Sequence, residues 1–336
     1  MNLPMAPSSA AQPLLALENI PRLQEEVRAL ARERNAVILA HNYQLPEIQD
    51  AADYVGDSLG LSRQAAATDA AVVAFCGVHF MAETASILSP EKTVLIPDAD
   101  AGCSLADSIT PEQLRAWQAQ HPGAITVMYV NTTAEIKALT DYCVTSANAV
   151  AVVEHILREH GPDTEILFGP DMFLGAYVEK TIGRSMHVWD GECHVHAGIR
   201  PSDIARVRAE HPGADFLIHP ECGCSTSVME YVAAGDLEAE GVHMLSTGGM
   251  LKYAENAAPG TTAIVATETG MLHPLRQAAP DVEFIAANEA ASCRYMKMIT
   301  LPKLRDCLRD LSGEVKVSAE IAERARVPIE RMVAIS

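Results

Sequence analysis

Basic residues are scarce in this chain, which has 25 Lys and Arg against 44 Asp and Glu and a formal net charge of −19. Nucleic acids and anionic membranes are bound through clustered Lys and Arg, because such clusters neutralise phosphate groups. We therefore expect neither nucleic acid nor a membrane as a partner. Small anionic substrates are compatible with this composition, since backbone N–H groups at helix N-termini bind anions without a charged side chain.

Long apolar runs are also missing, because no stretch reaches the ~18 apolar residues of a membrane-spanning helix. Residues 1–21 contain no Lys or Arg, whereas a secretory signal begins with basic residues and continues into a longer apolar run. We expect residues 1–19 to form a disordered leader and the protein to be cytoplasmic. The eight cysteines are then expected to be thiols or metal ligands, because a reducing compartment disfavours disulfides.

The chain repeats a pattern in which an apolar run ends in polar residues, and Ile38, Val127 and Phe216 place three such runs 89 residues apart. Each run predicts a buried parallel strand that emerges into a polar loop. Two more predicted strands follow each run, and their alternation with helices predicts parallel units with right-handed crossovers. The three runs are "VILAHNY" (37–43), "TVMYVNT" (126–132) and "DFLIHPE" (215–221).

The repeat predicts an α/β fold of three αβα domains, each with a parallel sheet, around a pseudo-threefold axis. Proline-started helices precede the second and third runs, as is usual for a first helical turn. The predicted bounds are 20–109 for domain 1, 110–199 for domain 2, 200–301 for domain 3 and 302–336 for a C-terminal helical tail.

One cysteine follows the third predicted strand of every domain: Cys103, Cys193 and Cys293. Ligands of open parallel sheets bind beyond the carboxyl ends of the strands, so a threefold arrangement would bring these thiols together. Three thiolates favour a soft or cluster-type centre, either an iron–sulfur cluster or zinc. A cubane cluster on three cysteines has one iron without a protein ligand, which can act as a Lewis acid on a substrate oxygen.

The stretch "HPECGC" (219–224) resembles a metal site written out in a row. Its Cys-x-Cys spacing, however, differs from the two-residue spacing of zinc knuckles and iron–sulfur loops. We interpret Cys222 and Cys224 as small residues in a tight turn, with ligation by one of them as the alternative. Core thiols are expected at Cys76 in a strand and at Cys143 and Cys307 on helices.

Polar residues follow the first strands of two domains at matching positions, and they include His41, Tyr43, His219 and Glu221. A lone histidine beside a strand is usually a hydrogen-bonded core residue. Two at aligned positions favour proton transfer instead. Hydroxyl-bearing turns open a helix in each domain. Capping is the commoner role of a single Ser or Thr, but three copies that face one axis favour binding of substrate anions. The hydroxyl residues of these turns are Ser58, Ser146, Ser246 and Thr247.

Together these motifs resemble the quinolinate synthase family over about residues 35 to 333. The segments that carry the resemblance are "ILAHNYQLPEIQDAADYVGDSLGLS", "PDADAGCSLAD", "MYVNTTAEIKA", "HPEC", "STGGM" and "MKMITLPKL". The resemblance implies three αβα domains around a four-iron four-sulfur cluster. It also implies condensation of iminoaspartate with dihydroxyacetone phosphate, with loss of phosphate and two waters, to give quinolinate, a precursor of NAD.

The resemblance further implies that Cys103, Cys193 and Cys293 bind the cluster, with His194 as a weaker candidate for an extra ligand. The stretch "DGECHVHAG" around Cys193 is more polar than the family's usual form. L-Aspartate oxidase or an aspartate dehydrogenase is the implied source of the imine, with direct transfer as an option. Substrate binding is implied for Tyr129, Asn131 and His196, beside the catalytic residues His41, Tyr43, His219 and Glu221.

Three other functions would use similar residues. An iron–sulfur hydro-lyase would use the same open iron but would not consume dihydroxyacetone phosphate. A redox sensor or scaffold would need no such set of histidine, tyrosine and glutamate residues, and the basic helix typical of such proteins is missing. A zinc-dependent aldolase would bind its metal mainly through histidine, whereas the matched triplet here is cysteine.

Overall fold

The computed structural model describes residues 19–234 and 240–335. The predicted leader, residues 1–19, lies outside this range except for its last residue. Among the described residues, no helix has both the length and the apolar character needed to cross a membrane.

Domain 1 begins with an amphipathic helix whose buried residues Leu23, Val27 and Ala31 recur every four positions and face the core. The strand that follows is buried along almost its whole length, as expected for a central parallel strand. The elements of this domain are α1 (Ile20–Glu33), β1 (Ala36–His41), α2 (Pro46–Ala51), β2 (Tyr54–Gly56), α3 (Ser58–Ala67), β3 (Val72–Cys76), α4 (His79–Leu88) and β4 (Thr93–Leu95).

Domain 2 begins with a proline-started helix, as predicted, and a capping box closes its first turn. Thr110 Oγ1 accepts from Gln113 N, and Gln113 Oε1 accepts from Thr110 N at 2.8 Å. The elements are α5 (Pro111–Gln120), β5 (Ile125–Tyr129), α6 (Ala134–Lys137), β6 (Tyr142–Val144), α7 (Ala149–His160), β7 (Ile166–Gly169), α8 (Met172–Ile182), β8 (His187–Val188) and α9 (His194–Ala197).

Domain 3 repeats this plan, and its first helix also has a proline in its first turn. The elements are α10 (Pro201–Glu210), β9 (Asp215–Ile218), α11 (Ser225–Ala234), β10 (Val242–Met244), α12 (Thr247–Asn256), β11 (Thr262–Ala266), α13 (Leu272–Ala278) and β12 (Glu283–Ala286). The tail forms α14 (Leu301–Asp310), which packs on α1, and α15 (Ala319–Ala334), which contacts α3 and α4 of domain 1 and α6 and β6 of domain 2.

The three sheets share one strand order, and every pairing between their strands is parallel. The orders are β2-β1-β3-β4, β6-β5-β7-β8 and β10-β9-β11-β12. The predicted α/β fold of three repeated parallel-sheet units is therefore confirmed. Each sheet lies within one predicted domain, while the exact domain bounds stay a prediction.

The sequence analysis predicts three strands per unit, whereas each sheet has four. The additional strands β2, β6 and β10 are edge strands of three residues each. Three residues are too few for a recognisable alternation of buried and exposed positions, so such strands leave no clear pattern. Cys143 accordingly lies in β6 and not on a helix, and it is buried as expected.

Candidate active site

The three sheets direct the carboxyl ends of their strands at one cavity. All the predicted site residues except Ser246 line it. They are His41, Tyr43, Ser58 and Cys103 from domain 1, Tyr129, Asn131, Ser146, Cys193 and His196 from domain 2, and His219, Glu221, Thr247 and Cys293 from domain 3.

The repeat explains why these side chains meet. Asp53 Oδ2 accepts from Ile38 N at 2.7 Å, and Asp141 Oδ2 accepts from Thr126 N at 2.8 Å, so Ile38 matches Thr126 rather than the predicted Val127. With this register, His41, Tyr129 and His219 occupy one position of the repeat at the strand ends. The position two residues later is occupied by Tyr43, Asn131 and Glu221.

The Tyr43 hydroxyl lies in a compact group of three hydrogen-bonding side chains. It is 2.6 Å from Thr267 Oγ1 and 3.3 Å from His196 Nε2, while His196 Nε2 and Thr267 Oγ1 are 2.9 Å apart. His41 packs edge-on against the Tyr43 ring, with ring centroids 4.6 Å apart. The phenol is thus connected to an imidazole through short contacts, an arrangement that suits proton transfer.

Glu221 contacts both histidines on its side of the cavity. Its Oε2 is 3.3 Å from His219 Nδ1 and 3.5 Å from His196 Nδ1, and the two imidazoles stack with centroids 5.0 Å apart. His219 Nε2 is 3.1 Å from Ser146 Oγ. His196, His219 and Glu221 also have donor atoms that all lie within 4.8 Å of one another, so this buried group could itself hold a metal ion.

Burial keeps the histidines of the cavity uncharged. Desolvation lowers the pKa of His41 to about 3, helped by the nearby Lys297 and His196. Desolvation also lowers the pKa of His196 to about 3, and it places the pKa of His219 well below its usual range. All three imidazoles are therefore neutral near pH 7 and can both donate and accept one hydrogen bond.

The acidic groups are shifted in the opposite direction. Desolvation raises the pKa of Glu221 well above its usual range, and the neighbouring Asp171 raises it further. Desolvation raises the pKa of Asp171 itself to about 7. Glu221 Oε1 and Asn131 Oδ1 are buried without a hydrogen-bond partner. Because buried polar atoms are normally satisfied, these two mark where a polar ligand would contact the wall.

Two of the hydroxyl turns also have capping contacts. Ser246 is the N-cap of α12, its Oγ accepting from Gly249 N at 3.2 Å, and it is not among the residues that line the cavity. Anion binding by these serines stays a prediction. Ser58 follows the N-cap Asp57, and a side chain at Gly248 would lie 2.7 Å from Asp57 Oδ2. Gly248 thus makes room for a carboxylate of domain 1.

Cys103, Cys193 and Cys293 lie in three equivalent turns. In each turn, the backbone N–H groups two and three residues later lie close enough to the sulfur to lower the pKa of the thiol, against the larger effect of burial. The three thiols are free, half-buried and face the same cavity. Such N–H donors stabilise a thiolate, so the residues present suit a metal centre bound through sulfur.

The three sulfurs lie farther apart than the ligands of a single tetrahedral zinc ion. Among the described residues, these three sulfurs are not a group of donor atoms that all lie within 4.8 Å of one another. A tetrahedral zinc ion would need sulfurs about 3.8 Å apart, given Zn–S bonds of about 2.3 Å. Desolvation raises the pKa of Cys103 to about 12 and also raises the pKa values of Cys193 and Cys293, so the positive charge of a bound metal would be needed to deprotonate them.

Cys222 and Cys224 are joined in a disulfide, which corrects the expectation that all eight cysteines are thiols or ligands. Both are fully buried in the turn after β9, with Cα atoms 5.2 Å apart, within the range that a disulfide spans. The expected tight turn brings the two sulfurs within bonding distance. The backbone of this turn is held by Gly223 N, which donates to His196 O at 3.0 Å.

Several residues of the cavity region are missing from the prediction. Thr267 and Glu268 follow β11, and Glu268 Oε1 accepts from Cys293 N at 2.9 Å and lies 3.0 Å from Lys297 Nζ. Asp171 follows β7. All three come directly after a second strand, in "TAIVATE" and "EILFGPD", so the rule applied to the first strands would have found them.

Fold and site together define an enzyme class in which three equivalent α/β domains surround one cavity with three cysteines. The family model "Quinolinate synthetase A protein" matches residues 25–334, and the chain belongs to this family. A quinolinate synthase of Mycobacterium tuberculosis is 57% identical over 315 residues, covering 94% of this chain and 89% of the relative. One of Mycolicibacterium paratuberculosis is 58% identical over 311 residues, covering 92% of this chain and 88% of the relative.

Proposed function

We propose that this protein condenses iminoaspartate with dihydroxyacetone phosphate, releasing phosphate and two waters to give quinolinate for NAD biosynthesis in the cytoplasm. The single observation that supports this most strongly is the convergence of Cys103, Cys193 and Cys293, one from each domain, on a cavity lined by neutral histidines. The family assignment and the names of the relatives point to the same reaction.

Cys103, Cys193 and Cys293 would hold a four-iron four-sulfur cluster, which supplies a Lewis-acidic iron without a protein ligand. The equivalent turns and the N–H groups directed at each sulfur support this assignment. All three cysteines line the cavity, so a cluster that they held would lie beside the histidines and the tyrosine described above.

The polar side chains would bind the substrates without a large positive charge. The Tyr129 hydroxyl and Asn131 Nδ2 would donate to a carboxylate or to the imine nitrogen, and the unpartnered Asn131 Oδ1 would accept from an imine N–H. Ser58, Ser146 and Thr247 line the same cavity and would bind carboxylate or phosphate oxygens. Neutral imidazoles suit anionic substrates, because an approaching anion favours their protonation.

Proton transfer would be shared between two groups of residues. His41 would bind the triose and transfer protons to and from it. Tyr43 would act as a general acid and base, with its hydroxyl in contact with His196. His219 and Glu221 would serve the later steps, in which two waters leave. Their contact of 3.3 Å lets a proton pass between them.

Direct transfer of the imine from L-aspartate oxidase is a proposal that rests on substrate chemistry alone, since the imine hydrolyses in water. The chain would otherwise receive it by diffusion. Neither route changes the assignments within the cavity.

The first experiment measures iron and acid-labile sulfide per chain after anaerobic purification, in the wild type and in five alanine variants. Loss of iron is expected in Cys103→Ala, Cys193→Ala and Cys293→Ala, while Cys222→Ala and Cys224→Ala retain it. Quinolinate formation from iminoaspartate and dihydroxyacetone phosphate is then measured. A cluster without consumption of dihydroxyacetone phosphate would support a hydro-lyase, and loss of iron only at residues 222 and 224 would refute the ligand assignment.

A further inference from the structure

A second group of metal-binding side chains lies far from the cysteines, at the opposite ends of the domain 2 strands. His121 ends α5, Glu165 directly precedes β7, and His187 begins β8. Glu165 Oε1 is 2.7 Å from His121 Nδ1 and 2.6 Å from His187 Nε2. The donor atoms of the three residues all lie within 4.8 Å of one another, and the two imidazole centroids are 3.9 Å apart.

The three side chains are positioned by the backbone and remain accessible to solvent. Ala124 N donates to His121 O at 3.1 Å, and Ile125 N donates to Glu165 O at 2.9 Å, which fixes both loops. The side chain of His121 is 22% exposed, that of Glu165 45% and that of His187 42%. An ion can therefore reach the group without rearrangement of the backbone.

The fold itself does not require this combination of residues, as domain 3 shows. His211 ends α10 with φ −128° and ψ 69°, against φ −129° and ψ 66° for His121, in the matching "HPGA" turn. In domain 3, however, the sheet register places Thr262 and Ile285 where domain 2 has Glu165 and His187. The same turn thus has one histidine in domain 3 and a complete set of three ligands in domain 2.

We propose that His121, Glu165 and His187 form a surface site for a divalent transition-metal ion of the Zn²⁺ type, separate from the proposed cluster. Two imidazoles and one carboxylate are a ligand set that zinc proteins use, with water as the fourth ligand. The affinity order of divalent ions at such nitrogen and oxygen ligands places Cu²⁺ and Zn²⁺ above Mn²⁺ and Fe²⁺.

Binding needs only small movements of the side chains. Ligand atoms around a tetrahedral zinc ion lie about 3.3 Å apart for bonds of about 2.0 Å, which is wider than the present contacts with Glu165. The two N–H···O hydrogen bonds would be replaced by metal–ligand bonds. Each neutral imidazole would keep its proton on the ring nitrogen that faces away from the metal.

Such an ion would connect the end of α5 to the β7–β8 edge of domain 2. All three residues lie at the amino ends of the strands, whereas the cavity lies at the carboxyl ends. The bound metal would therefore stabilise domain 2 without being part of the reaction. Because a ligand that binds only the folded state raises its stability, zinc should raise the melting temperature.

The test uses anaerobically purified protein with its cluster in place, so that the three cysteines are occupied, and titrates it with Zn²⁺ in a calorimeter. One Zn²⁺ per chain is expected to bind to the wild type and to raise its melting temperature. His121→Ala, Glu165→Gln and His187→Ala should each weaken binding by about tenfold or more. His211→Ala is the matched control and should bind zinc as the wild type does.

Zinc K-edge absorption of the titrated wild type reports the types of ligand, with two imidazole nitrogens expected, while the three variants distinguish this site from the buried His196, His219 and Glu221. The proposal is overturned if the wild type binds no zinc, or if the three variants bind it as tightly as His211→Ala does. It is also overturned if the absorption spectrum shows sulfur ligands, since the ion would then occupy the cysteine site. Iron content and quinolinate formation are independent of these results and should stay unchanged in all four variants.

Discussion

The Tyr43 hydroxyl makes two polar contacts in the cavity wall, at 2.6 Å to Thr267 Oγ1 and at 3.3 Å to His196 Nε2. Tyr43→Phe removes only this oxygen, and the ring can keep its contact with His41. If the phenol transfers protons, turnover should fall by about 10²–10⁴-fold. Iron and sulfide content should remain that of the wild type.

Tyr142→Phe is a suitable control for Tyr43→Phe. Tyr142 is also buried, but it lies in the edge strand β6 and does not line the cavity. Its variant should keep turnover within a few-fold of the wild type. A turnover near the wild-type rate in Tyr43→Phe would remove this residue from the mechanism.

His41 links the chemistry of the cavity to the stability of the protein. Its pKa is lowered to about 3 in the folded state, against an ordinary value of 6.5. The unfolded chain therefore binds more protons between these values, so the contribution of His41 is full above pH 6.5 and is lost as the pH falls towards 3. Between pH 7 and pH 5 this loss amounts to about 2 kcal/mol.

His41→Asn should reduce the change in unfolding free energy between pH 7 and pH 5 by about 2 kcal/mol. Asp171 and Glu221 act in the opposite direction because their pKa values are raised, so the variant must be compared with the wild type at both pH values. Urea unfolding measures the difference. His211→Asn, at a more exposed surface turn, is the control, and an equal pH dependence in His41→Asn and the wild type would contradict the prediction.

Among the elements, the turns that hold the three cysteines depend on close backbone packing. Gly191, two residues before Cys193, has no room for a side chain, because a Cβ there would overlap Pro170 O and Ser108 Oγ. Met172 N also donates to Gly191 O at 2.8 Å. Gly191→Ala should therefore displace the Cys193 turn and lower the iron content per chain.

Gly102→Ala is the matched control for this change, since Gly102 directly precedes Cys103. A Cβ at Gly102 would meet nothing closer than Asp100 O at 3.9 Å, an ordinary contact. Iron content after anaerobic purification should be normal in Gly102→Ala and reduced in Gly191→Ala. Equal iron content in the two variants would show that the Cys193 turn tolerates displacement.

The central elements could be predicted from the sequence because each leaves a pattern. Buried parallel strands are continuous apolar runs, and β1, β5 and β9 overlap the three runs identified in the sequence. The edge strands β2, β6 and β10 leave none, since sheet pairing rather than local composition defines them. The disulfide between Cys222 and Cys224 was also missed. The prediction rested on the reducing compartment expected for the protein, and that argument does not show how close a single turn places two sulfurs.

The cavity was predictable to the extent that it follows the repeat. His41 and His219 stand out in the sequence because they are the same residue type at matched positions, whereas Tyr129 and Asn131 needed a family resemblance. Thr267 directly follows a second strand, where the same rule points, but only the tertiary structure brings its hydroxyl to Tyr43 and His196. Contacts between domains depend on their relative placement, which no local pattern contains.

At the scale of the whole molecule, the tail helix α15 connects two domains behind the cavity. Arg63 Nη2 of α3 donates to Val333 O at 2.8 Å. On the domain 2 side, Asn148 Nδ2 donates to Met332 O at 2.9 Å and to Ile335 O at 2.8 Å. Residues of both domains therefore form hydrogen bonds to the C-terminal end of α15, so the placement of the two domains around the cavity depends on the position of this helix.

Asn148 connects the tail helix α15 to the turn of the cavity wall that contains Ser146. It is 2% exposed, and its Oδ1 accepts from Thr145 N at 2.8 Å in the turn that contains Ser146. Asn148→Ala would leave the Thr145 N–H and the two tail carbonyls without this partner, at a cost of about 1–3 kcal/mol for an unsatisfied buried group.

The expected result is a lower urea midpoint for Asn148→Ala together with a raised KM, since the Ser146 turn loses its support. Asn256→Ala is the control, because Asn256 Nδ2 donates only to Lys252 O on the exposed surface of α12. That change should alter stability by no more than about 0.5 kcal/mol. If the two variants unfold at the same urea concentration, the tail does not hold the domains together through Asn148. A lower midpoint with an unchanged KM would instead confine the role of Asn148 to stability.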